Sequence, residues 1–85
     1  MAEKIIMYTT DWCGDCRRAK RFLDERQIAY ENVNIEQVRE GLEIVRKLNN
    51  GNRSVPTIVF PDGSILVEPS NVQLAQKLGL PFGEN

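Results

Sequence analysis

The sequence predicts an α/β fold, a mixed four-stranded sheet in the order βαβαββα with helices on both faces. Three observations carry that expectation. In the first half, short apolar runs alternate with stretches of helical period, the pattern of a βαβ unit with parallel strands. In the second half, two short apolar runs flank Pro61-Asp62-Gly63, a strong hairpin signal. Gly and Pro stop signals close the second and third helical stretches. A right-handed crossover should join the parallel strands, and the hairpin should add antiparallel ones.

Each element follows in turn. Lys4 to Tyr8 (KIIMY) is a short apolar run that reads as a buried strand. Thr9 to Asp11 then form a loop, and Cys13 to Arg26 reads as a helix. Its Cys16, Ala19, Phe22 and Leu23 recur at three- and four-residue spacing and define one apolar face. Ile28 to Val33 (IAYENV) alternates as a strand should. A second helix is expected with Asn34 as N-cap and Gln37 three residues on, a capping-box pattern. Val38, Leu42, Val45 and Leu48 give it an apolar stripe, and Asn49-Asn50-Gly51 supplies the stop. Gly41 inside it costs about 1 kcal/mol relative to Ala. Thr57 to Phe60 (TIVF) and Ser64 to Val67 (SILV) are the hairpin strands. Ser70 caps the last helix, again with Gln at the third position (Gln73). Val72, Ala75 and Leu78 are expected to face inward, and Gly79 then Pro81 end it.

Composition narrows the function classes. Of 85 residues, 41% are hydrophobic and 27% charged, as in a folded globular domain. With no repeat or linker, residues 1–85 read as one domain. The net charge of −1 argues against a nucleic-acid or anionic-membrane binder. No apolar run approaches the roughly 20 residues that span a bilayer. Met1-Ala2-Glu3-Lys4 leads into only Ile5-Ile6-Met7, too short for a signal-peptide core. A cytoplasmic location is therefore expected. In that compartment a Cys-x-x-Cys pair is more often redox-active or metal-binding than structural.

Cys13 and Cys16 are the two cysteines of the chain, set where the first strand turns into the first helix. A helix N-terminus presents unpaired N–H groups and partial positive charge, both of which favour a thiolate. Cys13, at the helix start, is the better nucleophile. Cys16 lies one turn further in on the same face, within reach of a mixed disulfide formed by Cys13. Arg17, Arg18, Lys20 and Arg21 favour thiolate and anionic partners, although the same cations also suit a plain solvated helix face. Asp15 suits the first turn of the helix but disfavours a thiolate beside it.

Metal and staple readings compete with this one. A four-ligand zinc site needs two more good ligands, and the chain has no histidine and no third cysteine. Carboxylates or a dimer could complete such a site. As a staple, so short a loop restricts the unfolded chain by only roughly 2 kcal/mol. Two inert buried thiols would require Cys13 to be enclosed, which its place beside Gly14 argues against. The working dithiol is the strongest reading.

Other residues would shape the site. Pro56, after Ser54-Val55, removes one ladder donor ahead of the third strand and keeps that backbone free for a bound chain. Trp12 is expected to be partly exposed as an apolar contact for substrate. Tyr8 suits a core position or a site wall. Ser70 and Asn71 open the last helix, whose N–H groups suit a ligand carboxylate, and their plain role is capping.

Tyr8-Thr9-Thr10 before Trp12-Cys13-Gly14-Asp15-Cys16, then Ser54-Val55-Pro56-Thr57 and Asp62-Gly63-Ser64, resemble the glutaredoxins of the thioredoxin-fold superfamily. The match keeps the motif order over nearly the whole chain. "NGNRSVPTIVFPDGS" followed by "EPSN" is similar to the mycoredoxins and, less closely, to the NrdH redoxins. The resemblance implies a thioredoxin-like fold and a thiol–disulfide oxidoreductase, with Cys13 as nucleophile and Cys16 as resolving thiol. Pro56 would be a cis-proline facing the dithiol, and the Val55 backbone would pair with the bound thiol peptide. Arg53, Ser70 and Asn71 would lie along a groove for a low-molecular-weight thiol. Trp12, Gly14 and Asp15 would contact substrate, with Tyr8 and Arg17 in support.

No bound cofactor is implied. Glutathione, mycothiol, or thioredoxin reductase with NADPH would supply electrons to a monomer acting on protein disulfides or mixed disulfides. Glutathione-using members carry Cys-Pro-Tyr-Cys and a Gly-Gly pair before the last helix. Gly14-Asp15 and Val67-Glu68-Pro69 stand in those places here, which points away from glutathione. The alternative is an iron–sulfur carrier or metal-binding module using the same cysteines.

Overall fold

Strand alternation sets the two sides of the sheet. Ile5 and Met7 of the first strand point to one face, and Ile6 and Tyr8 to the other. A computed structural model describes residues 4–81 as β1 (Ile5–Thr9), α1 (Gly14–Glu25), β2 (Tyr30–Asn34), α2 (Arg39–Leu48), β3 (Thr57–Val59), β4 (Ile65–Val67) and α3 (Asn71–Leu78). This is the expected βαβαββα order. The start Met1-Ala2-Glu3, part of the signal-peptide reading, lies outside the described residues.

The sheet order is β2-β1-β3-β4. β1 runs parallel to β2, with Ile5 opposite Tyr30 and Tyr8 opposite Val33. It runs antiparallel to β3, which pairs antiparallel with β4 through the hairpin. On one face Ile5, Met7, Ile58 and Phe60 pack against Ala19, Phe22 and Leu23 of α1 and Leu74 and Ala75 of α3. On the other, Tyr8 and Ile35 pack with Val45 of α2, and Ile6, Val33, Leu42 and Val59 close around them. Helices therefore cover both faces. The loop after β1 leads to Cys13 at the start of α1, and Cys16 lies in the first turn of that helix.

Three local expectations are corrected. Asn34 is not a helix N-cap: it ends β2, and its Oδ1 accepts the Glu36 N–H at 2.8 Å in a turn. α2 begins only at Arg39, after Val38 in an N-cap position with no side-chain hydrogen bond. Of its proposed stripe, Val45 is buried and Leu42 half-buried, while Val38 and Leu48 face outward. In α3 Val72 is 47% exposed, and Leu74 takes the inward place with Ala75. Positions 71, 74, 75 and 78 share one face of a 3.6-residue helix, and position 72 does not.

Gly41 has a packing reason. A Cβ there would lie 2.8 Å from Val33 Cγ1, so α2 sits on β2 at a separation that only glycine permits. Ser70 caps α3 as read, with Ser70 Oγ accepting the Gln73 N–H at 3.1 Å and Gln73 Oε1 accepting the Ser70 N–H at 2.8 Å. Lys77 of α3 donates to Asp62 in the hairpin turn at 2.7 Å. Lys77, then Ser64, hold the Asp62 carboxyl well below the usual carboxylate range.

Candidate active site

β1 ends at Thr9, and four residues later Cys13 caps α1 from an extended backbone conformation. An N-cap side chain normally accepts an orphan N–H of the first turn. Here a sulfur does so: the Cys16 N–H donates to Cys13 Sγ at 3.0 Å. The Cys13 thiol in turn points to the Val55 carbonyl at 3.7 Å. The Val55–Pro56 bond is cis, and Pro56 is fully buried. That loop is held from two sides. The Glu68 N–H donates to the Pro56 carbonyl at 2.8 Å, and Thr57 Oγ1 donates to the Ser54 carbonyl at 2.8 Å while accepting from Asn49 at the end of α2.

The two thiols, both free, differ in setting. Cys13 is more enclosed than its place beside Gly14 suggests, at 8% exposed, because Val55 closes over it; it still borders a cavity of about 440 Å³. Cys16 is wholly buried. Burial, then its hydrogen bond with Cys13, push the Cys16 thiol up to about 12, against a smaller lowering by the Thr10 backbone N–H and Lys20. Cys16 is therefore a protonated thiol across the neutral range. Among the described residues no group of three or more His, Cys, Asp or Glu is placed to hold a metal ion.

The cavity at Cys13 is bordered by Trp12, Asn52, Arg53, Val55 and Glu68. Trp12 is 65% exposed, and its indole N–H donates to Glu36 Oε2 at 2.9 Å. The same oxygen stands 3.8 Å from Arg53 Nη2.

A cysteine N-cap facing a cis-proline loop is an arrangement for thiol exchange, and the glutaredoxin family model matches residues 5–65. The chain belongs to the glutaredoxin family. It is 47% identical to a Mycobacterium tuberculosis protein provisionally named a glutaredoxin, over 87% of this chain and 88% of that one. It is 34% identical to Mycoredoxin 1 of Corynebacterium glutamicum, over 87% of this chain and 91% of that one. A solved thioredoxin-like protein superposes with a TM-score of 0.82 at 24% identity, covering 94% of this chain and all of its own, which shows the thioredoxin-like fold. As a glutaredoxin, the chain is a thiol–disulfide oxidoreductase.

In this glutaredoxin the remaining sequence candidates fall elsewhere. A second cavity of about 490 Å³, along α1, is bordered by Gly14, Arg17, Arg18, Arg21 and Asn71 among others. Arg18 ties it together, donating to Asn71 Oδ1 at 3.0 Å, to the Pro69 carbonyl at 3.3 Å and to Asp15 Oδ1 at 3.2 Å. Arg17 donates to the Asp11 carbonyl at 3.0 Å. Gly14 and Asn71 thus border this second cavity, Ser70 serves the α3 cap, and Arg53 and Val55 border the cavity at Cys13. Tyr8 is a core residue, its phenol raised by burial and then by Glu31. Sequence reasoning missed Glu36 and Asn52, and saw Glu68 only as one of the residues standing where other members carry a Gly-Gly pair. It saw Arg18 only as one of a run of cations.

Proposed function

We propose that this glutaredoxin reduces protein disulfides and protein–small-thiol mixed disulfides through its Cys-Gly-Asp-Cys pair. The observation that carries the reading is the asymmetry of the pair. Cys13 Sγ caps a helix N-terminus at a cavity mouth, and Cys16 lies buried behind it as a protonated thiol, its own N–H on that sulfur at 3.0 Å. Cys13 thiolate attacks one sulfur of a disulfide R–S–S–R′. A Cys13–S–S–R bond forms, and R′–S⁻ leaves. Cys16 then attacks Cys13 Sγ, releasing R–S⁻ and closing the Cys13–Cys16 disulfide; its proton goes to the departing thiolate. Two electrons pass from the dithiol to the substrate, and an external thiol or a reductase restores them.

The cis Val55–Pro56 loop suits presentation of the client chain beside Cys13, with Trp12 and Arg53 along the small-thiol path. Mycothiol is the favoured reductant, supported by the likeness to Mycoredoxin 1. Glutathione, and thioredoxin reductase with NADPH, are the competitors. A monomer in a reducing, cytoplasmic setting suits this cycle, since Cys13 must be returned to its thiol form.

The deciding experiment is a trap. Cys16→Ser, mixed with an oxidised client or a small-thiol disulfide, should accumulate a Cys13-linked adduct visible by intact mass. Cys13→Ser should accumulate none. An adduct on neither variant would end the proposal. Turnover with mycothiol, glutathione and thioredoxin reductase compared side by side then identifies the reductant.

A further inference from the structure

The cavity at Cys13 has a wall held from behind by one carboxylate. Trp12 and Arg53 both border that cavity, whereas Glu36 borders a different one with Ile35 and Leu42. Yet Glu36 Oε2 accepts the Trp12 indole N–H at 2.9 Å and lies 3.8 Å from Arg53 Nη2. Glu36 is itself tied to the end of β1 and to the turn that leads into Cys13. Its N–H donates to Asn34 Oδ1 at 2.8 Å, Asn34 Nδ2 donates to Asp11 Oδ1 at 2.9 Å, and the Ile35 N–H donates to the Thr9 carbonyl at 2.9 Å.

Two physical consequences follow from this chain of contacts. An indole exposed to 65% is free to change rotamer unless its N–H is held, and a charged acceptor holds it more strongly than a neutral one. The Arg53 cation would draw anionic ligands to the cavity, but Glu36 counters it from one side and Glu68 adds a second negative charge at the rim.

We infer that Glu36 is the positioning residue of the Cys13 groove: it holds Trp12 as the flat apolar wall and counters Arg53, so that uncharged thiols are favoured over anionic ones. This rests on the reading of Cys13 as the attacking sulfur. The ligand class is a neutral thiol carried as a mixed disulfide, whose apolar face lies on the indole.

The test uses one neutral reporter peptide with a single cysteine, capped as a mixed disulfide with either 2-mercaptoethanol or glutathione. Reduced protein is mixed with each in a single turnover. The cap moves to Cys13, the reporter thiol leaves, and no outside reductant takes part. Glu36→Gln keeps an acceptor for the indole but loses the charge. It should raise the rate for the glutathione cap relative to the neutral cap by about two- to fivefold at low ionic strength, the range of an exposed ion pair. That gain should vanish in about 0.5 M salt.

Glu36→Ala should show the same charge effect. In addition it should shift the emission and lower the anisotropy of Trp12, the one tryptophan of the chain, while Glu36→Gln restores both. An unchanged cap ratio in Glu36→Gln, or one that moves the other way, overturns the specificity claim. Unaltered Trp12 emission in Glu36→Ala overturns the positioning claim. A normal wild-type rate with an unchanged ratio strikes at Glu36 alone, whereas a wild-type protein that attacks neither cap takes the Cys13 reading down as well.

Discussion

Cys13 and Cys16 are three residues apart and share one hydrogen bond, yet their reactivities diverge because one borders a cavity and the other has no exposed surface. With its thiol pushed up to about 12, Cys16 has neither access nor charge for a soluble electrophile at neutral pH. Iodoacetamide at pH 7.5 should therefore add one group to the native reduced protein, on Cys13, and a second only in denaturant. Peptide mass mapping checks the site, and two rapid native adducts would contradict it. The cysteine pair and its placement were legible from the sequence because both signals are local: two residues of spacing, and a strand run followed by a helical one. Glu36 was illegible for the opposite reason. Its partner Trp12 lies 24 residues away, and nothing in the letters around Glu36 distinguishes it from a solvated carboxylate.

Among the elements, α2 shows best where local signals and packing part company. Asn34 with Gln37 carries the same kind of capping pattern as Ser70 with Gln73, a cap-forming residue and a Gln three positions on, and only the second pair caps a helix. Asn34 instead spends its side chain on the Glu36 N–H and on Asp11, because the chain must turn at the end of β2 before α2 can lie on the sheet. The hairpin and all four strands were readable from turn residues and alternation. The inward face of α3 was misjudged at Val72, since eight residues give too few repeats to fix the phase of a stripe. Gly41 reads as a flaw in the helix until its height above Val33 is known. Gly41→Ala should gain about 1 kcal/mol of helix propensity and lose more to overpacking, commonly 1–3 kcal/mol. The neighbour at 2.8 Å is a stiff β-branched methyl, so it cannot swing aside cheaply. A net loss of about 1 kcal/mol is expected in urea unfolding, with partial recovery in the double variant Gly41→Ala, Val33→Ala. A more stable Gly41→Ala protein would refute the packing account.

At the scale of the whole molecule, the groups that burial has pushed upward set an alkaline limit. Cys16 and Tyr30 are each raised to about 12, Cys16 by burial and the Cys13 hydrogen bond, Tyr30 by burial and then by Asp24; Tyr8 is raised as well. A group held above its unfolded pKa contributes stability that is complete below the unfolded value and is lost as pH rises through the folded one. For Cys16 that window opens near pH 9, and for the tyrosines near pH 10. The urea midpoint of the reduced protein should therefore be flat from pH 7 to 8.5 and fall steadily above 9. Disulfide formation removes the thiol from this titration, so the oxidised protein should begin its decline about one pH unit later. Identical alkaline profiles for the two forms would show that Cys16 is not the group responsible. The burial of Cys16 also bears on survival under peroxide. An oxidant that reaches Cys13 makes a sulfenic acid beside a thiol it cannot itself touch. That thiol displaces water to close the disulfide, halting the sulfur before the irreversible sulfinic stage. Enclosure thus leaves the protein a damage product its own reductant can undo.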